Sequence, residues 1–294
     1  MNSTGTFLQI QIYTRKFFRT LKKESIISII IGIIITALVM FVTSDNMFET
    51  FEGTKPGFFA LICACIWIGI FNSIQLVCRE KNDIVKDELD KSLKATAYMA
   101  AHFIYQFILC AIQSIIVFII FVAFLGDKLE GNLFLYMITI FLIMFSSDAM
   151  AFVISSAVPN PIVAMTVMPL LLLVQLVMAG VLFQLEGVTE YIAYFTISRW
   201  GMAAFGMIGD ITSLRSSTHG KVVNAVNDAL DNYLPNHEPA DVSRKGFIPE
   251  TDMNLYDGDT GDIILCWLCF IAFIVAFYFL SVAALKFTTR RLKK

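Results

Sequence analysis

Residues 185–208 read LEGVTEYIAYFTISRWGMAAFGMI, a stretch long enough and apolar enough to invite a membrane crossing. A helix needs ~20 predominantly apolar residues to traverse a hydrocarbon core about 30 Å thick. Against that reading stand Glu186, Glu190 and Arg199, because a charge at the bilayer centre costs roughly 2.5–3.5 kcal/mol on insertion scales. Whether this stretch crosses decides on which side the chain ends, so charges elsewhere resolve it.

The chain has 294 residues, 57% of them hydrophobic and 16% charged, with 27 phenylalanines. That is far from the balance of a soluble domain. Six other stretches reach span length, at 26–43, 57–78, 103–125, 133–154, 162–183 and 263–284. Three basic clusters flank them: Arg15, Lys16, Arg19, Lys22 and Lys23; Arg79, Lys81, Lys86, Lys91 and Lys94; and Lys286, Arg290, Arg291, Lys293 and Lys294. The loops that hold Lys55 and Lys128 are poor in base. Cytosolic loops near helix ends are enriched in Lys and Arg. Six crossings put all three clusters on that side, whereas a seventh would throw the last one outside.

The sequence therefore predicts an all-α integral membrane protein of the cell membrane with both termini cytosolic. Residues 185–208 become a re-entrant or interfacial segment, with short re-entrant helices over 187–209. The organisation is a cytosolic segment at 1–25, spans one to five within 26–184, an outer segment at 185–261, and a sixth span with its basic tail at 262–294. The first apolar stretch starts at Ile26 and no small-residue cleavage pattern follows it, so the first span reads as a retained anchor. The balance of 22 basic against 24 acidic residues carries no nucleic-acid footprint.

Cysteines at 63, 65, 78, 110, 266 and 269 all fall in or at the ends of spans, so no disulfide-stapled outer domain is expected. Neither Cys63 with Cys65 nor Cys266 with Cys269 has a histidine for company, and packing is their simplest role; no metal site is expected. The stretch NLYDGDTGD at 254–262 gathers Asp257, Asp259 and Asp262. It lacks the ligand spacing and terminal Glu of a calcium loop, and reads as an acidic turn.

Before the first span, Phe7, Ile10, Thr14, Phe17, Phe18 and Leu21 share one arc at 100° per residue, opposite Arg15, Lys16, Arg19 and Lys23. Such a helix lies on the inner surface, its apolar face in the headgroup boundary and its basic face on anionic lipid or a partner. After the second span, REKNDIVKDELDKSLKATAYMAAHF from Arg79 alternates charges and then turns apolar without Pro or Gly. This predicts one cytosolic helix over 79–102 that runs into the third span as a stiff lever. Glu80 and Asp87 stand seven residues apart on one face of it, with Arg79, Lys81 and Glu88 beside them.

This charged helix, with Glu80 and Lys81, Asp87 and Glu88, then Ala97 and Tyr98 before a new span, resembles the coupling-helix region of ABC transporter permeases. The class is the G-type exporters, of the White, pleiotropic-drug-resistance and breast-cancer-resistance kind. A second match is AGVLFQLEGVTEYIAYFTISRWGMAAFG from Ala179, where Ser198, Arg199, Trp200 and Gly201 look like the re-entrant helix of bacterial members. The resemblance implies a transmembrane permease that moves a lipidic, drug-like or other amphiphilic substrate out of the cytosol or inner leaflet by alternating access. It implies that Arg79, Glu80, Lys81, Asp87 and Glu88 contact an ABC-type ATPase subunit. It also implies a dimer with a second permease copy, a substrate path between the two, and no catalysis by this chain. The only Gly-Lys pair, Gly220 with Lys221, has no glycine five positions before Gly220, so ATP and Mg belong to the partner ATPase.

In the family the path is lined by the second and fifth spans, which here offer Cys65, Ile68, Asn72 and Gln75, and Pro169, Leu172, Gln175 and Leu176. Intramembrane amides such as Asn72 and Gln75 serve substrates or bond neighbouring helices, and both roles stay open. Two other classes of function remain. An ion-coupled transporter or channel would use Asp148, the sole carboxylate deep in a span, and a membrane anchor or receptor would present the loop at 213–261. A membrane-embedded enzyme is disfavoured, because His102, His219 and His237 are scattered.

Overall fold

The computed structural model describes residues 6–20, 22–89, 94–183, 185, 187–233 and 248–292, and these are all-helical apart from short turns and connections. The helices are α1 (Thr6–Thr20), α2 (Lys22–Thr43), α3 (Phe51–Ser73), α4 (Leu76–Leu89), α5 (Ala95–Leu125), α6 (Leu133–Ala157) and α7 (Pro161–Val177). They continue as α8 (Val188–Ala193), α9 (Ile197–Ile208), α10 (Ser217–Tyr233), α11 (Glu250–Tyr256) and α12 (Thr260–Leu292). Five helical stretches are long and apolar enough to cross a membrane: Ser25–Asn46, Phe51–Lys81, Ala95–Lys128, Leu133–Ala157 and Thr260–Thr289. The fifth expected span is represented by α7, an apolar helix of 17 residues.

Local chemistry sets the helix boundaries. Asn132 opens α6 by accepting from Phe134 N at 2.9 Å, and Asn160 opens α7 by accepting from Val163 N at 3.0 Å, with Pro161 in the first turn. Asp259 and Asp262 form a reciprocal box at the head of α12. Asp259 Oδ1 accepts from Gly261 N at 2.8 Å, and Asp262 Oδ2 accepts from Asp259 N at 3.1 Å. Two of the acidic residues at 254–262 thus serve as a helix cap.

Contacts sort the helix ends into two groups. At one end meet α1, the start of α2, α4, the start of α5, and the last turns of α6 and α12. Phe17 lies edge-on to Tyr98 at 5.9 Å, Lys81 Nζ reaches Ser156 O at 3.0 Å, and Thr288 Oγ1 reaches the same carbonyl at 3.1 Å. At the other end Lys128 Nζ bonds Glu49 at 2.9 Å, Phe51 N donates to Arg215 O at 3.1 Å, and Lys55 grips both oxygens of Asp252 at 2.7 and 2.9 Å. α10 and α11 therefore follow from residues anchored beside the start of α3.

Close approach of helices depends on small residues. A Cβ on Gly69 of α3 would stand 2.3 Å from Met144 O in α6, so only glycine lets these two helices meet there. Between α3, α5, α6 and α9 the rings of Phe58, Phe121, Tyr136 and Phe205 cluster with centroids 5.2–6.3 Å apart. The opposite faces of α2 and α12 are bare: Ile26, Ile34, Phe41, Leu268 and Phe279 are all more than half exposed.

Residues 188–208 hold two short helices, and α9 packs on α3, α6 and α12. Two expectations change. The second span does not run unbroken to Cys78: α3 ends at Ser73, and α4 begins at Leu76 with Val77 N and Cys78 N donating to Ser155 Oγ of α6 at 3.0 and 3.2 Å. A side chain from another helix thus satisfies the new helix's opening amides. Nor do residues 79–102 form one lever. Lys94 is extended and α5 starts after it. Tyr98 Oη lies 2.6 Å from Glu80 Oε2, whereas 18 residues of continuous helix would separate their backbones by about 27 Å. The chain turns back, and α4 lies against the start of α5.

On α1 the buried positions are Gln9 and Phe17, with Ile10 and Tyr13 half-buried, while Phe7 is 81% exposed. The apolar arc is thus split between contact with α5 and a free flank. The side chains of Phe18 and Leu21 fall outside the described residues.

Candidate functional site

The first of these two ends is built around α4. Its residue Glu80 accepts from Tyr98 Oη and lies 3.8 Å from His102 Nε2. His102, fully buried, stacks on Phe17 of α1 with centroids 3.9 Å apart. One carboxylate therefore joins α4 to α5, and the histidine beside it joins α5 to α1. Lys81 points the other way and is 3% exposed. Its Nζ donates to Ser156 O at 3.0 Å and Val158 O at 2.6 Å, carbonyls at the end of α6 that form the negative pole of that helix. Arg79 hydrogen-bonds Gln75, one turn back. The side chains of Asp87 and Glu88 fall outside the described residues, although the helix that carries them is described to Leu89.

Beside α4 opens a cavity of about 330 Å³. Its polar wall holds Asn72, Gln75 and Arg79 together with Ser25, Ser28 and Gln106. Behind that wall the polar groups form a closed ring. Ser28 Oγ donates to Asn72 Oδ1, Asn72 Nδ2 to Gln113 Oε1 at 2.7 Å, and Gln113 Nε2 to Ser28 Oγ at 3.1 Å. From there Gln106 Nε2 donates to Ser73 Oγ at 2.9 Å, and Ser73 Oγ donates to Asp148 Oδ1. Asp148 is fully buried and its Oδ2 accepts no hydrogen bond among the described residues.

Asn72 and Gln75 therefore line a cavity inside one copy of the chain. Cys65 and Ile68, from the same helix, are buried in the bundle and do not line it. Of the fifth-span residues, Pro169 is exposed and Leu172 and Leu176 are half-buried. Gln175 instead clasps α9: Ser198 N donates to its Oε1 at 3.0 Å and Ser198 Oγ to its backbone carbonyl at 2.5 Å. Arg199 lies over the Tyr194 ring at 4.5 Å and 3.8 Å from Glu190, and Trp200 Nε1 donates to Tyr194 O at 2.8 Å. Two of the charges that argued against a span, Glu190 and Arg199, thus meet at the α8–α9 turn, beside a cavity of about 230 Å³ that Asp252 also borders; Glu186 lies outside the described residues.

Sequence reading missed Ser28, Gln106, Gln113 and Ser155. One signal was available, since Gln106 and Gln113 stand seven apart and share a face of a helix otherwise apolar. Ser155 and His102 gave none, because their partners come from other helices.

Against this architecture the family model for the ABC-2 type transporter matches residues 8–208. The chain belongs to the ABC-2 type transporter family. The match runs from α1 through α9, so it takes in the α4 junction, the cavity and the Gln175–Ser198 clasp. An ABC-2 domain is the transmembrane permease of an ABC transporter, a multi-pass membrane unit whose work is driven by an ABC ATPase. No curated protein matches the sequence.

Proposed function

We propose that this ABC-2 permease is of the G-type exporter class and works as one of two copies with its ATPase on a separate chain. It moves an amphiphilic substrate out of the cytosol or inner leaflet. The observation that carries the reading is the fixing of α4 at three points to two neighbours: Glu80 to α5, and Lys81 and the first turn to α6 through Ser156 and Ser155. A push delivered to α4 is shared at once with α3, α5 and α6, which is what a coupling helix requires. Asp87 and Glu88, and Arg79 beside the cavity, are the docking charges, while Glu80 and Lys81 hold the helix that presents them. Single exposed pairs are worth under ~1 kcal/mol, so the docking set acts together.

The sorting of helix ends supports six crossings. α6 finishes at the α4 end and α12 also finishes there, so the chain must return to the far end between them. α7 with the turns at 178–183 is the segment available for that crossing. α9 then runs from Ser198, held by α7, towards the far end, where a Cβ on Gly131 would touch Ile208 O at 2.2 Å. This is the geometry of a re-entrant helix. The basic clusters favour the α4 end as the cytosolic one, with α1 on the inner surface and its free flank in lipid.

The test is purification of the tagged chain from its native membrane. An ATP-binding subunit is expected to come with it, and to be lost when Asp87 and Glu88 both become Lys. Retention of that subunit by the double variant contradicts the docking assignment. A second reading, ion-coupled flux, is favoured by one observation, the open oxygen of buried Asp148. It predicts ATP-independent flux that Asp148→Asn abolishes.

A further inference from the structure

We infer that Asp148 is a proton-binding site, loaded as the neutral acid and tied through Ser73 to the break between α3 and α4. The site itself stands on the geometry around Asp148, and its tie to movement of α4 rests on the permease reading.

Two buried oxygens lack donors at one place. Asp148 is fully buried in α6, and Gln106 of α5 is 1% exposed. Ser73 Oγ donates to Asp148 Oδ1 and accepts from Gln106 Nε2 at 2.9 Å, so both side chains end on the same hydroxyl. Asp148 Oδ2 and Gln106 Oε1 have no hydrogen-bond partner among the described residues. An ionised carboxylate and an amide oxygen can only accept. A proton on Oδ2 turns one of the two into a donor, and it removes a charge that burial leaves unsolvated.

The neighbouring helices bring no cation to do the same work. The titratable side chain of α5 within electrostatic reach of Asp148 is Cys110, a thiol. His102 of α5 lies against Glu80, Lys81 of α4 binds Ser156 O and Val158 O, Arg199 of α9 lies by Glu190, and Tyr278 of α12 bonds Thr96 O. α3 adds thiols beyond Lys55, which Asp252 holds, and α7 has no titratable residue.

A metal ion fits this place poorly. It would meet the amide hydrogens of Gln106, whose Nε2 donates to Ser73 Oγ and to Asn72 O at 3.2 Å. Room is short as well. A Cβ on Gly69 would stand 3.2 Å from Asp148 N, and the cavity that Gln106 borders is not lined by Asp148.

The donor to Asp148 stands where the chain bends. Ser73 is the last residue of α3 and Leu76 the first of α4, so a pull on α4 reaches Ser73 before the rest of α3. With that hydroxyl drawn aside, water from the cavity beside Gln106 reaches the acid. The proton then passes to water, and the carboxylate left behind is hydrated.

The test is infrared spectroscopy of the purified full chain, its aspartates isotope-labelled, at about pH 7, where an ordinary aspartate of pKa about 3.9 is ionised. A carboxylic-acid carbonyl band is expected that shifts in heavy water, disappears in Asp148→Asn and moves to higher frequency in Ser73→Ala. Deuteration of the acid should be about tenfold faster in Ser155→Ala, which frees the first turn of α4, and unchanged in Gln175→Leu, which acts on α9. Absence of the band from the unaltered chain overturns the inference whatever the variants do. So does a band that sodium chloride removes and choline chloride does not, because the site would then hold the metal ion. Equal deuteration in Ser155→Ala and the unaltered chain breaks the tie to α4. Absence of the band with the ATPase still co-purifying sinks this inference alone, and a band without a co-purifying ATPase sinks the functional reading alone.

Discussion

Gly69 is the residue on which the α3–α6 crossing turns, because any Cβ there meets Met144 O. Gly69→Ala must push the helices apart at the level of the Ser73–Asp148 bond, and overpacking of this kind costs about 1–3 kcal/mol. A lowered thermal unfolding temperature in detergent is expected, and an unchanged one would show that the crossing is looser than described. Lys81 is the second such residue. Lys81→Met keeps the stem but takes the ammonium donor from Val158 O and leaves Ser156 O to Thr288, at a cost of about 1–3 kcal/mol. Hydrogen exchange should quicken in α4 and the last turn of α6 and stay unchanged in α2; uniform protection would refute the assignment. In the sequence Lys81 looks like any charge in a run of charges. Its burial is decided by the end of α6, some 75 residues away, so nothing local could reveal it.

At the level of elements, composition and charge carried far. Four of the expected spans appear as single long helices near their expected bounds, since a long apolar run has few alternatives in lipid. The segment at 185–208 was legible for the same reason, as Glu190 and Arg199 exclude it from a simple crossing. What periodicity could not show is where helices stop without Gly or Pro. The end at Ser73 is set by a tertiary partner, Ser155, and α5 begins after an extended Lys94. Cavity residues divided in the same way: Asn72 and Gln75 were visible as amides in an apolar helix, whereas Gln175 looked alike and serves α9. Gln175→Leu should therefore act on α9, leaving the buried Ser198 N–H without its acceptor. Faster exchange and earlier proteolysis across 197–208 are expected, with protection of α4 unchanged. Normal protection of α9 in that variant would remove the clasp from the description.

For the whole molecule, the arrangement of ends makes topology testable. Single cysteines at Lys128 and Lys221 should react with an impermeant maleimide added to intact cells, and one at Lys94 only after the membrane is opened. Labelling at Lys94 from outside would reverse the orientation. The bare faces of α2 and α12 match a bundle that meets lipid or a second copy. All of this serves one claim, that α4 receives the motion of an ATPase. The most direct measurement places a photo-crosslinking amino acid at Asp87, and separately at Lys128, in cells that carry the native partner. The Asp87 probe is predicted to give an adduct with an ATP-binding chain, stronger or weaker as ATP is added or withheld, and the Lys128 probe none. An Asp87 probe that captures only lipid, or an adduct formed equally from Lys128, would contradict the claim.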